Sequence, residues 1–440
     1  MLQTYEEALF WIHSRLRLGI KPGLKRMEWM LDRLNNPERK LTAIHVAGTN
    51  GKGSTVSYLR SILQVAGYQV GTFTSPYFEV FNERISLNGK PIDNEEILSL
   101  TNVIQPLALE LESTELGPPS EFEIITAMAF YYFGTHEEID VVLFETGLGG
   151  RLDSTNVINP ILSIITNIGY DHMNLLGETL PKIAYEKAGI IKKNIPLITS
   201  VEQSEALKVI IDTATTLQAE MYRIEKEYKI VNQHPVSDGE IFSLRTPFQS
   251  FDNLKITMKG EHQVKNAALA VMAINYLQKQ SSFDLTDSHI KEGLLHARWI
   301  GRFEQLCDDP IIIIDGAHNP EGINSLVKTL SSRYSTKKIQ IIFSALRDKK
   351  LTDMLTPLES VADSITFTSF DFPRVFTAKE LYEMSTIHNK SYDENWKSCI
   401  DTSLLKISED EILIVTGSLY FLSEVRPYIV NNTKNVEKYS

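Results

Sequence analysis

The chain is poor in cysteine. Only Cys307 and Cys399 occur in 440 residues, and neither has the closely spaced partner that a zinc site or redox pair requires. A disulfide framework is thereby excluded, and a reducing compartment fits. Long apolar runs are missing too: no stretch reaches the roughly 20 residues that span a bilayer. Residues 1–20 do not read as an export signal, because Glu6 and Glu7 precede the apolar part and Arg15 and Arg17 interrupt it. Basic charge is in deficit, with 44 Lys plus Arg against 56 Asp plus Glu and a net charge of −12. That balance argues against a broad nucleic-acid surface but permits a small, locally basic pocket for an anion. A serine-hydrolase elbow and the dinucleotide G-x-G-x-x-G fingerprint are also absent. The expectation is a cytoplasmic, soluble protein with no nucleic-acid and no membrane partner. With no long exposed apolar helix legible, it is expected to be a monomer.

What is present is alternation. A chain of 440 residues exceeds one ordinary core, so two or more domains are expected. Apolar, β-rich runs at 41–47, 141–145, 162–166, 196–199, 311–315, 338–343, 364–368 and 412–416 read as strands, several continuous enough to be buried on both faces. Helical patterns lie between them, such as 54–66, where Val56, Leu59, Leu63 and Ala66 form one stripe. Others are a long helix at 260–278 and a shorter one at 288–295. This predicts α/β architecture: an N-terminal P-loop ATPase-type doubly wound domain, 1–297, and a smaller C-terminal Rossmann-like α/β domain, 298–440. Residues 200–251 read as a β-rich excursion, and the polar tail 430–440 is expected to fray.

Three strand-end segments carry chemistry. HVAGTNGKGST, residues 45–55, runs from an apolar strand through a glycine-rich turn into a helix starting at Ser54. Small residues let backbone amides approach a phosphate, and a helix N-terminus favours negative charge. Gly48, Thr49, Asn50, Gly51 and Gly53 are the candidate cradle. Lys52 is placed for the β/γ-phosphates and Ser54 for Mg²⁺. Gly53 intervenes between Lys52 and Ser54, where the usual loop reads G-K-[ST]. The plain alternative is a tight strand–helix turn with an incidental lysine. Glu145 ends the second strand, before the flexible Gly147, Gly149 and Gly150, where ligands of open α/β sheets bind. A solvated carboxylate is its alternative. The third strand ends in a turn carrying Asp171 and His172, a better metal candidate than an isolated histidine. Lys187 lies in a largely apolar helix, where a lysine either loses its charge, finds an anion or snorkels to solvent.

These segments belong to an ordered set: GTNGKGS (48–54), TSPYFEVFNERI (74–85), ETGLGGRLDSTN (145–156), DHMNLLG (171–177), EKAGII (186–191), GEHQVKNAALA (260–270), WIGRFE (299–304), DGAHNP (315–320) and TGSLY (416–420). The set resembles the folylpolyglutamate synthase/dihydrofolate synthase family, itself related to the Mur peptidoglycan ligases, over nearly the whole chain. The resemblance implies an ATP-dependent amide ligase that adds L-glutamate to a folate through an acyl phosphate, with ATP, folate or dihydropteroate, and glutamate as partners. It implies two Mg²⁺ sites, one on Ser54 and Glu145 and another on Ser75, Glu145 and His172, with a carbamylated Lys187 as an anionic ligand; it also allows a monovalent cation. Asn266, Arg302 and Asp315 match ATP-contacting positions. His318, Arg374 and Ser418 would line the glutamate side. Ser75, Pro76, Tyr77, Phe78, Arg84 and Asp153 would border the pterin-bearing substrate. Lys52, Glu145, His172, Lys187 and His318 would carry the catalysis. Ile300 stands where many relatives have proline, which predicts a looser hinge.

Two other readings share parts of this pattern. A Mur-type amino-acid ligase shares the loop and the metal residues, but typically has Thr directly after the lysine and a further N-terminal domain, whereas 47 residues precede Gly48 here. A P-loop ATPase switch module would need neither the 74–85 segment nor a histidine and lysine beside the metal. Within the family, the sequence leaves open whether dihydropteroate is also a substrate.

Overall fold

The computed structural model describes residues 1–436, with side chains to residue 432. The first of its three sheets contains β1 (Ala43–Ala47), β2 (Val70–Phe73), β3 (Ile85–Leu87), β4 (Lys90–Pro91), β5 (Val141–Glu145), β6 (Leu162–Ile165), β7 (Leu197–Thr199) and β8 (Met221–Arg223). Their order is β4-β3-β2-β5-β1-β6-β7-β8. From β2 to β8 every neighbour is parallel, while β3 and β4 add an antiparallel edge. Both faces of this sheet are covered. Val141 and Leu143 point into a core shared with helices Lys52–Val65 and Glu261–Lys279. Val142 and Phe144 point into the opposite one, under helices Asn94–Glu112 and Glu121–Thr135. This two-sided burial is why β5 reads as an unbroken apolar run.

A second, antiparallel sheet holds β9 (Lys229–Val236), β10 (Gly239–Arg245) and β11 (Ser250–Ile256). It packs Phe242, Leu244 and Leu254 into the first core. The expected β-rich excursion is therefore only partly β: its first third is the helix Ser204–Thr216, which buries Ala206, Ile210 and Ala214 at helical spacing. The third sheet holds β12 (Glu304–Asp308), β13 (Ile311–Asp315), β14 (Lys338–Phe343), β15 (Ser364–Phe367), β16 (Lys390–Tyr392) and β17 (Glu411–Thr416). It is ordered β12-β13-β17-β14-β15-β16 and is parallel except at β12. The tail expected to fray is helical as far as it is described, within Leu419–Val436; residues 437–440 lie outside the described residues.

Register decides where ligands go. Val46 pairs with Glu145, and Ala47 with Ile165, so the carboxyl ends of β1, β5 and β6 lie side by side. From β1 the chain crosses to β2 on one side, and from β5 it crosses back over β1 to β6, which opens a crevice at those ends. In the third sheet, β13, β17 and β14 likewise end together, Asp315 and Phe343 both pairing with Thr416. The carboxyl-end loops of the two sheets face each other across one cleft.

The segment between them is held rather than loose. Ser57 Oγ donates to the Arg298 carbonyl at 2.6 Å, the Gly301 amide donates to Glu304 at 2.8 Å, and the Gly316 amide donates to the Gly301 carbonyl at 2.8 Å. Ile300 is exposed at this joint. Among the described residues, no helix is long and apolar enough to cross a membrane.

Candidate active site

One wall of the cleft is the phosphate loop. The helix starts at Lys52 rather than Ser54, behind Gly51 at φ 82°. Its first closing bond is Thr55 N–H to the Gly51 carbonyl at 2.9 Å. The amides of Lys52, Gly53 and Ser54 therefore precede the hydrogen-bonded ladder and are the donors available to an anion. Thr49 and Asn50 are differently engaged. Their amides donate to the Asn167 carbonyl at 3.0 Å and to Asn167 Oδ1 at 2.8 Å, so the turn after β6 splints the loop. Of the Gly48–Gly53 cradle expected from sequence, the Thr49 and Asn50 amides are thus engaged within the chain, while all six residues line the cleft. Gly53 has a local reason: a Cβ there would lie 2.5 Å from Trp299 Cζ2. Asn266 sits behind the loop, its carboxamide against Gly51.

Three ionisable groups surround the start of this loop. Glu145 is buried, and burial lifts its carboxyl to about 7, against the opposing pull of Lys52 and Arg302. Lys52 Nζ lies 3.7 Å from Glu145 Oε1 and donates to the Gly48 carbonyl at 3.1 Å. Lys187 is also buried, and its Nζ donates to the same carbonyl at 2.8 Å. Desolvation, reinforced by Lys52, lowers its pKa to about 7. The snorkelling alternative is excluded for Lys187. The glycines after Glu145 are places of close approach: a Cβ at Gly147 would meet Phe122 at 2.4 Å, and one at Gly150 would meet the Glu186 carbonyl at 2.9 Å.

The opposite wall comes from β13, β14 and β17. Arg302, His318, Arg374 and Ser418 all line the cleft, as do Ser75, Pro76 and His172 from the first wall. Arg302 is wired to the β13 turn by a bond to the Gly316 carbonyl at 2.9 Å. Asp171 links the walls: Lys349 Nζ reaches its Oδ1 at 2.6 Å, and His318 Nε2 lies 3.6 Å from its Oδ2. Burial alone would raise the Asp171 pKa, but the nearby His318 and the charge of Lys349 hold it well below the usual carboxylate range.

Five expected ligand contacts are placed elsewhere. Asp315 turns inward, accepting the Phe303 amide at 2.8 Å and the Ala317 amide at 2.9 Å, and so fixes the turns that carry Arg302 and His318. Asp153 is buried and accepts from the Leu148 amide and from the Thr155 amide and hydroxyl, bracing the loop after Glu145. Phe78 joins the C-terminal core beside Ile314 and Phe421. Tyr77 and Arg84 stack together at 5.3 Å beside Glu121, outside the residues lining the cleft. Lining residues given no role from sequence include Asp348, Lys349 and Tyr420. Their signal was available, since each follows a recognised strand.

The Mur ligase middle-domain family matches residues 46–274, and the Mur ligase glutamate ligase domain matches residues 301–419. The chain is similar to a dihydrofolate synthase/folylpolyglutamate synthase of Bacillus subtilis, 48% identical over 97% of this chain and 99% of that protein. It belongs to the dihydrofolate synthase/folylpolyglutamate synthase family. This family member is therefore an ATP-dependent ligase. It also resembles the folylpolyglutamate synthase of Lacticaseibacillus casei, at 33% identity over 96% of this chain and 98% of that protein. Among solved structures, a folylpolyglutamate synthase in complex with AMPPCP and folate superposes with a TM-score of 0.85 at 31% identity, covering 97% of this chain and all of that one. The Thermotoga maritima folylpolyglutamate synthase gives 0.84 at 33%, covering 96% of each chain.

A divalent cation fits the donor set of this synthase. Among the described residues, no three His, Cys, Asp or Glu side chains form a metal cage. One desolvated carboxylate, Glu145, instead shares the cleft with the hydroxyl-bearing Ser54 and Ser75 and with His172. That is the sparse oxygen-rich set Mg²⁺ uses when substrate phosphates complete its shell.

Proposed function

We propose that this synthase joins the amine of L-glutamate to the glutamyl carboxylate of a folate, with ATP converted to ADP and phosphate. One observation carries the reading: Lys52 and the free helix amides face His318, Arg374 and Ser418 across a single cleft. The two units, 1–297 and 298–440, then act as the ATP-binding and glutamate-ligase domains of a cytoplasmic monomer. Lys52 and the amides of Gly53 and Ser54 hold the β- and γ-phosphates. The folate carboxylate attacks the γ-phosphorus, the bond to ADP breaks, and an acyl phosphate forms. The glutamate amine attacks its carbonyl, loses a proton and expels phosphate. Lys52 and Arg302 face the anionic charge of both steps in a desolvated site, where preorganised cations are most effective. His318, Arg374 and Ser418 orient glutamate. Ser75 and Pro76 border the acceptor.

Ser54, Glu145, Ser75 and His172 would hold Mg²⁺, which supplies charge neutralisation at the phosphates. Lys187 is suited to carbamylation, because a lysine with a pKa near 7 has a large neutral-amine fraction able to add CO₂ and release a proton. The oxygen anion so formed suits Mg²⁺ as an ammonium does not.

The same cleft serves dihydropteroate as an acceptor if its shorter carboxylate reaches the phosphate loop. Acceptor-dependent ADP formation with ATP, Mg²⁺ and glutamate tests both readings when dihydropteroate and tetrahydrofolate are run side by side. Turnover with both acceptors is expected. Turnover with tetrahydrofolate alone would remove the dihydrofolate synthase activity, and turnover with neither would overturn the folate reading.

A further inference from the structure

The helix Pro320–Arg333 touches the N-terminal unit at both of its ends. At its start, Asn319 and Asn50 of the phosphate loop exchange side-chain amides. Asn50 Nδ2 donates to Asn319 Oδ1 at 3.1 Å, and Asn319 Nδ2 donates to Asn50 Oδ1 at 3.0 Å. Asn319 Nδ2 also donates to Asp171 Oδ2 at 3.2 Å, while its Oδ1 caps the helix by accepting the Gly322 amide at 2.9 Å. Asn319 is 1% exposed, so every one of these groups depends on its partner. At the far end, Arg333 donates to the Val236 carbonyl at 2.8 Å and pairs with Glu240 at 2.5 Å. Glu240 in turn accepts the Gly260 amide at 2.8 Å, where the Glu261–Lys279 helix begins. The helix spans 14 residues, which separates the two anchorages by about 20 Å.

Both ends of the seam also hold a buried ion pair. Arg333 and Glu240 keep only 9% and 4% of their side chains exposed, so separating them would strand a buried charge. At the phosphate loop, Lys349 and Asp171 keep only 9% and 10%, and Asn319 is bonded to that same carboxylate as well as to Asn50. His318, on the glutamate side, is the residue directly before Asn319.

We propose that Asn319 is a positioning residue: its side-chain amide, paired with Asn50 and bonded to Asp171, sets the register of the C-terminal unit, and of His318 with it, on the phosphate loop. The inference rests on the ligase reading for its kinetic arm only. In the full-length enzyme, Asn319→Ser and Asn319→Asp keep an oxygen to cap the helix but lose the donor to Asn50 and Asp171. Asn319→Ser is expected to raise KM for glutamate about 30-fold, the least that the loss of one neutral bond and one bond to a carboxylate implies. Asn319→Asp, which adds a negative charge beside Asp171, is expected to raise it further. ADP affinity and Tm should stay near wild type. Asn50→Ala combined with Asn319→Ser should be no worse for glutamate than the more damaging single change, because both remove one contact. Deuterium uptake by Asn319→Ser should rise across the seam, in residues 48–52 as well as 316–322. An unchanged glutamate KM, single effects that multiply in the double variant, or uptake confined to 316–322 would each overturn the proposal. If the wild type forms no ADP with glutamate, the ligase reading fails, and the exchange experiment still judges the register.

Discussion

Gly53 is where this phosphate loop departs from the usual wording, and the Trp299 ring gives a physical reason that a substitution to alanine would expose. A Cβ at residue 53 would meet Trp299 Cζ2 at 2.5 Å and Cε2 at 2.6 Å, well inside van der Waals contact. Overpacking of this kind costs about 1–3 kcal/mol. Acting the other way, alanine gains up to about 1 kcal/mol over glycine inside a helix. Trp299 is only half-buried and packs against the first core, so the ring is expected to tilt rather than the helix to break. Its movement would carry the backbone that leads, three residues on, to Arg302. Gly53→Ala should therefore lose about 1 kcal/mol of stability in calorimetry and raise KM for ATP by about 5- to 10-fold, the range one hydrogen bond or small shift represents. In a Trp299→Leu background the obstructing ring is gone, and the same substitution should become neutral or stabilising by up to about 1 kcal/mol. Equal losses in both backgrounds would refute the steric reason, as would an unchanged Tm and KM for Gly53→Ala alone.

Other perturbations have worked signs. His45 is fully buried in β1, where desolvation holds its pKa near 3, and its Nε2 lies 2.8 Å from the Thr155 hydroxyl. That hydroxyl donates to Asp153, so the imidazole carries its proton on Nε2. Below its ordinary value near 6.5 the unfolded chain takes up a proton that the folded chain refuses, so stability falls with pH between about 6.5 and 3 at up to about 1.4 kcal/mol per unit. His45→Gln retains the donor and should flatten urea-midpoint curves by about 2 kcal/mol at pH 5 relative to pH 8; parallel curves would refute the assignment. Lys187→Ala should abolish turnover and recover part of it when a short carboxylate is supplied in solution, as a missing anionic ligand predicts; failure of any carboxylate to rescue would count against carbamylation.

The legibility of this chain follows burial. Strands β13, β14 and β17 show in the sequence because Ile and Val must fill both faces of a parallel sheet. Strand β2 does not, since Gly71 sits at a close approach to Phe133 and Thr72 interrupts the run. Strand β9 is largely exposed on its outer side and offers no apolar alternation. Many of the cleft residues that sequence pointed to, such as Lys52, Glu145 and His318, lie at or just after strand ends, whereas Lys187 lies in a helix. Applied evenly, that rule would have added Lys349 after β14 and Tyr420 after β17. What local sequence does not reveal is which way a carboxylate in a strand or in the loop beyond it turns. Asp153 and Asp315 turn inward because the tight turns beside them leave backbone amides needing acceptors. Asp153 had a cue in the Asp-x-Thr spacing that favours such local bonding.

The two walls of the cleft also set how well the reaction is kept from leaking. An acyl phosphate reacts with water as well as with an amine, and only enclosure favours the amine. Here enclosure is not a property of either sheet, because the carboxyl ends of each contribute only one wall. A seam that gapes for longer than the intermediate survives would still consume nucleotide while forming no new peptide-like bond. Fidelity, measured as product made per ATP split, is thus decided at the joint between the halves, at residues that never touch the reacting atoms.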